Sequence, residues 1–174
     1  MGVHVRFRAL SVLVIASALL ASAAPARADD DPSFMTFQLG AFDLLRGRNQ
    51  AGAFALEYRD NSQWWLFKPF MGAMGTSDGG FNAYAGVMVD IYLWRRVVFT
   101  LSFAPGFYER GSGVDLGLPL EFRSAGELAY RFDDRSRLGI MVNHLSNAGL
   151  GHRNPGTEVI MLSYSVPVGK FMKK

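Results

Sequence analysis

The sequence predicts an all-β fold, an eight-stranded antiparallel transmembrane barrel of the outer membrane, and three observations carry that prediction. Apolar residues recur at every second position along segment after segment, which is the period of a β-strand with two unlike faces. The faces opposite them carry small residues or paired acids and bases instead of the scattered Lys and Glu of a soluble sheet. The chain opens on a basic and then apolar segment that reads as an export signal.

That opening segment comes first. "MGVHVRFR" is basic, "ALSVLVIASALLASAA" is apolar, and "ARA" before Asp29 is a small-residue cleavage pattern, so residues 1–28 are expected to be a signal peptide and 29–174 a single barrel domain. Of the 18 Lys and Arg residues, Arg6, Arg8 and Arg27 lie in the signal and none of the 15 acids does, so the exported part is balanced at 15 against 15. A nucleic-acid partner argued from basicity is thereby excluded. Cysteine is absent, so an exported chain of this size must be held by its core or by a membrane rather than by disulfides.

Each strand is then read from its alternation. In the first, Met35, Phe37, Leu39 and Ala41 oppose Thr36, Gln38 and Gly40. The second sets Phe54, Leu56 and Tyr58 against Ala53, Ala55, Glu57 and Arg59. The third, 64–75, has apolar residues on both faces around Lys68 and is ambiguous in parity. In the fourth, Phe81, Val87, Val89, Ile91 and Leu93 oppose Tyr84, Gly86, Asp90 and Tyr92. The fifth, 96–107, and the sixth, 118–132, alternate most cleanly, the latter with Glu121, Arg123, Glu127 and Arg131 on one face. Glu121/Arg123 and Glu127/Arg131 are expected to pair inside, and Asp90, Glu121 and Glu127 to be buried salt-bridge partners. Segments 137–146 and 157–168 complete the set. Lipid demands closure, because an open edge would leave unpaired N–H and C=O groups in hydrocarbon. Short connections, "DNSQ", "WRR" and "DDRS", follow strands two, four and six, and longer or glycine-rich ones follow strands one, three, five and seven. The latter are expected to face outward from the cell.

The stretch "MVNHLSNAGLGHRNPGTEV" carries the chemistry. Counting by twos from Leu138, Ile140 and Val142 puts His144 and Ser146 on the lipid-facing side of strand seven. Counting back from Leu162 and Ile160 puts Glu158 on the same side of strand eight. Residues i and i+2 of a strand lie about 6.5–7 Å apart and neighbouring strands about 4.8 Å apart, so a Ser146 nucleophile, a His144 general base and a Glu158 orienter are within reach of one another. The same residues also read as an interfacial histidine, a strand end and a solvated loop acid, and the residues alone leave both readings open. His152 sits off the stripes and reads as a surface residue. "SDGG" reads as a hairpin turn rather than a phosphate loop, since no helix follows.

"NHLSNAGLGHRNPGTE" with the upstream "EFRSAGELAYRF" resembles the PagL-type lipid A 3-O-deacylases over essentially the whole exported chain. The resemblance implies an outer-membrane serine esterase that hydrolyses the ester-linked 3-hydroxyacyl chain at position 3 of lipid A in the outer leaflet. It implies Ser146, His144 and Glu158 as the triad and Asn147, Gly149 and Asn154 as the oxyanion-stabilising, substrate-binding region. Lipid A or lipopolysaccharide and outer-membrane lipid are the expected partners, with a homodimer left open; no metal and no cofactor are expected. A non-catalytic adhesin or structural barrel, and an acyltransferase or phospholipase using the same Ser–His chemistry, remain alternatives. One departure is that the chain ends "GKFMKK", where the terminal aromatic typical of outer-membrane barrels is expected; Phe171 is the candidate for that role.

Overall fold

The computed structural model describes residues 31–170. The expected signal segment and Phe171 lie outside the described residues. Eight strands, β1 (Phe34–Phe42), β2 (Ala51–Arg59), β3 (Lys68–Thr76), β4 (Phe81–Trp94), β5 (Val97–Glu109), β6 (Leu120–Arg131), β7 (Arg137–Ser146) and β8 (Thr157–Pro167), close into one barrel, followed by a 3-10 turn at Val168–Lys170. Every neighbouring pair is antiparallel, and β1 pairs with β8 from Phe34↔Pro167 to Phe42↔Val159, so no strand edge is left open.

The period-two reading fixes which face meets lipid. Leu39 (68 % exposed), Phe54 (60 %) and Ile140 (60 %) stand outward with the rest of the predicted stripes. Such a continuous exposed apolar band is costly in water and natural in a bilayer. The third strand departs from expectation. Trp64, Trp65 and Leu66 belong to a turn closed by paired Trp64 and Phe67 backbones, and the strand begins only at Lys68. A positive φ of 58° at Trp65 turns the chain there. From Lys68 onward parity is clear: Lys68, Phe70 and Met74 point inward and Met71 outward. The connection after β2 therefore runs 60–67 and is longer than the 77–80 turn after β3, so the two ends of the barrel differ less in loop length than expected.

The interior is narrow, polar in its middle and apolar at one end. Arg59 bonds Glu127 at 2.5 Å and Glu57 at 3.0 Å, and Arg123 bonds Glu57 at 3.0 Å. Tyr84 and Ser163 hydroxyls donate to Glu57 and Glu127 at 2.9 and 2.8 Å. A second group joins Arg137 to Asp31 at 2.6 Å and to Asp90 at 3.3 Å, with Lys68 also on Asp90 and Arg131 on Asp31. Gly72 makes room for this: a Cβ there would lie 2.7 Å from the Glu57 side chain and 3.0 Å from the Tyr84 ring. Nearer the other end Phe42 stacks on Tyr108 (centroids 6.2 Å apart) among Val114, Leu116, Leu145 and Val159, which plugs the barrel.

The pairs differ from those expected. Asp90 and Glu127 are ion-pair partners, but Arg123 and Arg131 bond acids on other elements, Glu57 and Asp31, which barrel closure brings across the lumen to them. Glu121 is buried and, among the described residues, forms no ion pair and has no hydrogen-bond partner on either oxygen, so its expected pairing with Arg123 is not made.

Removing one member of a buried ion network leaves its partners uncompensated, at a cost of about 3–5 kcal/mol. Arg59→Met should therefore lower the unfolding free energy of the lipid-reconstituted barrel by about 3 kcal/mol, read as a lower urea midpoint, while Arg110→Gln, whose partner Asp115 is exposed with it, should leave the midpoint unchanged.

Candidate functional site

His144 and Glu158 come together because β7 and β8 pair in the register that sets them directly opposite. Their side chains meet, Nδ1 to Oε1, at 3.3 Å. Both lie on the outward face at the loop-rich end, beyond the exposed Val142 and Ile140 of β7 and Leu162 of β8. A carboxylate at Nδ1 fixes the imidazole so that Nε2 points away from it and is free to exchange a proton. Ser146 is two residues on along the same face, half-buried, and opposite Phe122 of β6. Its hydroxyl makes no hydrogen bond to His144 or to any other described residue in this geometry, so the structure joins two of the three expected residues directly and holds the third beside them.

The histidine ring rests on Gly156, where a Cβ would lie 2.8 Å from its Cε1 and 3.2 Å from Nε2. Gly156 also has φ +58°, so both space and backbone require glycine there. The sequence places Gly156 in the connection after strand seven but does not show its contact with the ring.

Arg46, in the β1–β2 connection, was invisible to strand counting. It grips the Glu158 carboxylate with two nitrogens, Nε to Oε2 at 3.1 Å and Nη2 to Oε1 at 3.1 Å, and donates to the Pro155 carbonyl through Nη1. Arg48 beside it donates to the Gly156 carbonyl at 2.6 Å. Together they fasten this connection to the segment that carries Gly156 and Glu158. Bidentate arginine holds a carboxylate in one plane, which a single lysine contact would not do.

The expected oxyanion region is mostly occupied with its own architecture. Asn147 is fully buried, and its Nδ2 donates to the Leu116 and Arg153 carbonyls, both at 2.8 Å. Its Oδ1 accepts the Gly149 N–H at 3.0 Å, and its own N–H donates to Asn154 Oδ1 at 3.1 Å. Left-handed Ala148 (φ 53°) and Gly149 (φ 79°) complete a tight turn closed by Leu150 N–H on Asn147 O. Asn147 thus ties the 147–156 loop to the 110–119 loop, and the side-chain N–H groups of Asn154 are the donors left unengaged. His152 is exposed in the loop, as its position predicted.

A closed eight-stranded barrel with an apolar outer band, bearing an outward His–carboxylate contact at one rim, defines an outer-membrane type of β-barrel with an acid–base pair beside lipid. A family model described as lipid A 3-O-deacylase (PagL) matches residues 41–167, and the chain belongs to that family. The fold is similar to a solved structure described as the outer membrane enzyme PagL, at a TM-score of 0.61 and 17% identity, over 78% of this chain and 99% of that one. No curated protein matches the chain by sequence.

The loop carrying Arg46 is anchored by Asp43. Burial alone would raise this carboxyl, but the Arg48 guanidinium, the Asn49 N–H, the Thr157 hydroxyl and the Arg48 N–H outweigh it and hold it below the ordinary range. A lowered acid contributes stability that is complete above its unfolded value of about 3.9 and disappears as pH falls through the folded value. Protection of the 43–49 amides against hydrogen exchange, relative to their intrinsic rates at each pH, should therefore hold down to about pH 4 and fall below it in the wild type, whereas Asp43→Asn should show little protection at every pH.

Proposed function

We propose that this chain is a lipid A 3-O-deacylase, a serine esterase working from the outward face of the barrel on lipid A in the outer leaflet. The observation that carries the reading is the His144–Glu158 contact on the lipid-facing side, two residues from a serine on the same face. The family to which the chain belongs supports the substrate.

In this reading Ser146 Oγ attacks the ester carbonyl at position 3 while His144 Nε2 takes its proton. Glu158, held by Arg46, stabilises the imidazolium through Nδ1. The hydroxyl of the sugar leaves with the proton from His144, and water, deprotonated by the same imidazole, releases the acyl chain from Ser146. The Cβ atoms of Ser146 and His144 are about 6.5–7 Å apart, a gap that a hydroxymethyl and an imidazole bridge once substrate orients them. Asn154 Nδ2 supplies an oxyanion donor next to the Asn147 peptide, and Asn147 and Gly149 hold the turn that puts it there. No step draws the substrate from the membrane: its acyl chains lie along Val142, Ile140 and Leu162, and the site meets the ester at the rim. The 43–50, 77–80, 110–119 and 147–156 connections accordingly face the cell exterior.

Expression of the full chain in Gram-negative cells should convert lipid A to a species lighter by one 3-hydroxyacyl group, and Ser146→Ala should abolish the shift in the mass spectrum. Identical spectra for the two would make the barrel non-catalytic. Release of fatty acid from purified phospholipid but not from purified lipid A would instead establish the phospholipase alternative.

Gly156→Ala should fold, because the nearest atoms to an added Cβ are the far end of the half-exposed His144 side chain, yet displace the imidazole. Misplacement of a reacting group by about 1 Å costs roughly 100-fold in rate, so a fall of that order in lipid A turnover, with unchanged barrel unfolding, is the expected outcome.

A further inference from the structure

At the end of the barrel away from His144, the β4–β5 turn and the β6–β7 turn lie side by side, joined by the Arg131 N–H on the Arg96 carbonyl at 2.8 Å. Between them is an open groove of about 690 Å³ with Trp94, Phe132 and four arginines, Arg95, Arg96, Arg131 and Arg135, in its walls, against one carboxylate, Asp133. We propose that this groove binds the headgroup phosphate of an anionic glycerophospholipid from the leaflet opposite the ester site.

Depth selects the ligand. The Arg96 guanidinium lies 5.9 Å from the centroid of the Tyr130 ring, and Tyr130 belongs to the outward stripe of β6, paired with Val97 of β5. Its charge is thus on the lipid-facing side at the last rung of the strands. Trp94 (74 % exposed) and Tyr130 (44 %) stand there too, where aromatic rings sit at the membrane–water boundary. The anion present at that depth is the phosphate of a lipid. Guanidinium matches phosphate in plane, with parallel N–H donors, and holds it better than water-exposed carboxylate.

Two of these charges are available for this. Arg131 is committed to buried Asp31 at 3.1 Å, but Arg95 makes no ion pair or side-chain hydrogen bond among the described residues. Arg96 lies over the Tyr130 ring and is ion-paired, among the described residues, with Asp133, itself 88 % exposed, in a pair that water and salt weaken. Below the groove, Leu128 (52 % exposed) and Phe99 continue the outward stripe as a surface for acyl chains. The proposal rests on the barrel standing in a membrane and on none of the serine chemistry, so either can fail without the other.

The test uses the full chain purified in detergent and titrated, in native mass spectra, with phosphatidylglycerol, with phosphatidylcholine of the same acyl chains, with lipopolysaccharide, and with inorganic phosphate. Phosphatidylglycerol should bind about tenfold more tightly than phosphatidylcholine, and Arg95→Gln/Arg96→Gln should remove about tenfold of its affinity, as two interfacial cations contribute. Asp133→Asn should tighten binding, because it releases Arg96. Added salt should weaken phosphatidylglycerol binding to the wild type, a readout that stands even where the double variant fails to fold. Equal retention of the two phospholipids, unaltered affinity in the folded double variant, or weaker binding in Asp133→Asn would overturn the proposal. So would saturation by inorganic phosphate alone, which would make the groove a free-anion site, or preference for lipopolysaccharide, which would place it in the other leaflet.

Discussion

Everything in this molecule depends on sheet closure in a medium that offers the backbone no hydrogen bonds. An open edge in hydrocarbon leaves polar groups unpaired at several kcal/mol each, so β8 must return to β1, and it does so along the full length of β1. Closing a sheet of eight strands makes a lumen just wide enough for side chains. The interior is then filled by whatever alternates with the lipid-facing stripes, and here that is Glu57, Arg59, Arg123 and Glu127 in mutual contact. With the lumen full, and plugged by Phe42 and Tyr108 at the loop-rich end, the outer face is where the proposed chemistry on a lipid fits.

That constraint gives the His144–Glu158 pair its meaning. A polar pair on the outward face of a soluble sheet would be an ordinary solvated contact. At the rim of an apolar band, in the proposed reading, it stands where water thins out and where the ester bonds of a membrane lipid lie, so that the substrate's own location would replace a binding pocket. Arg46 and Gly156 refine the arrangement from two directions. One holds the carboxylate in plane, and the other lets the imidazole lie close to the backbone.

Much of this was legible in the chain because period-two alternation is a strict geometric signal when one face meets lipid. The parity of β7 and β8, and with it the shared face of His144, Ser146 and Glu158, follows from counting by twos. The same counting failed at 64–67, where Trp64, Trp65 and Leu66 imitate a strand but form a turn through one left-handed residue. It also misassigned the ion pairs. Alternation says which side chains share the lumen, but barrel closure decides that Arg123 meets Glu57 and that Glu121 meets no partner among the described residues. Arg46 lies in a loop with no period at all, 112 residues from the glutamate it holds, and only the closed fold brings them together. Asn147 was read as an oxyanion donor from its place in the motif; its two N–H bonds to Leu116 and Arg153 give it a structural task that spacing does not reveal.

The central claim is that an outward-facing serine, activated by its neighbour two residues back, carries the acyl group. An alkyl fluorophosphonate with a long acyl-like chain, added to the full-length protein in lipid vesicles, tests it by peptide mass mapping. The account predicts a single adduct on the peptide containing Ser146, formed in wild type and lost in His144→Asn. Continued deacylation of lipid A by protein that carries no adduct at Ser146, or an adduct confined to another serine, would contradict it.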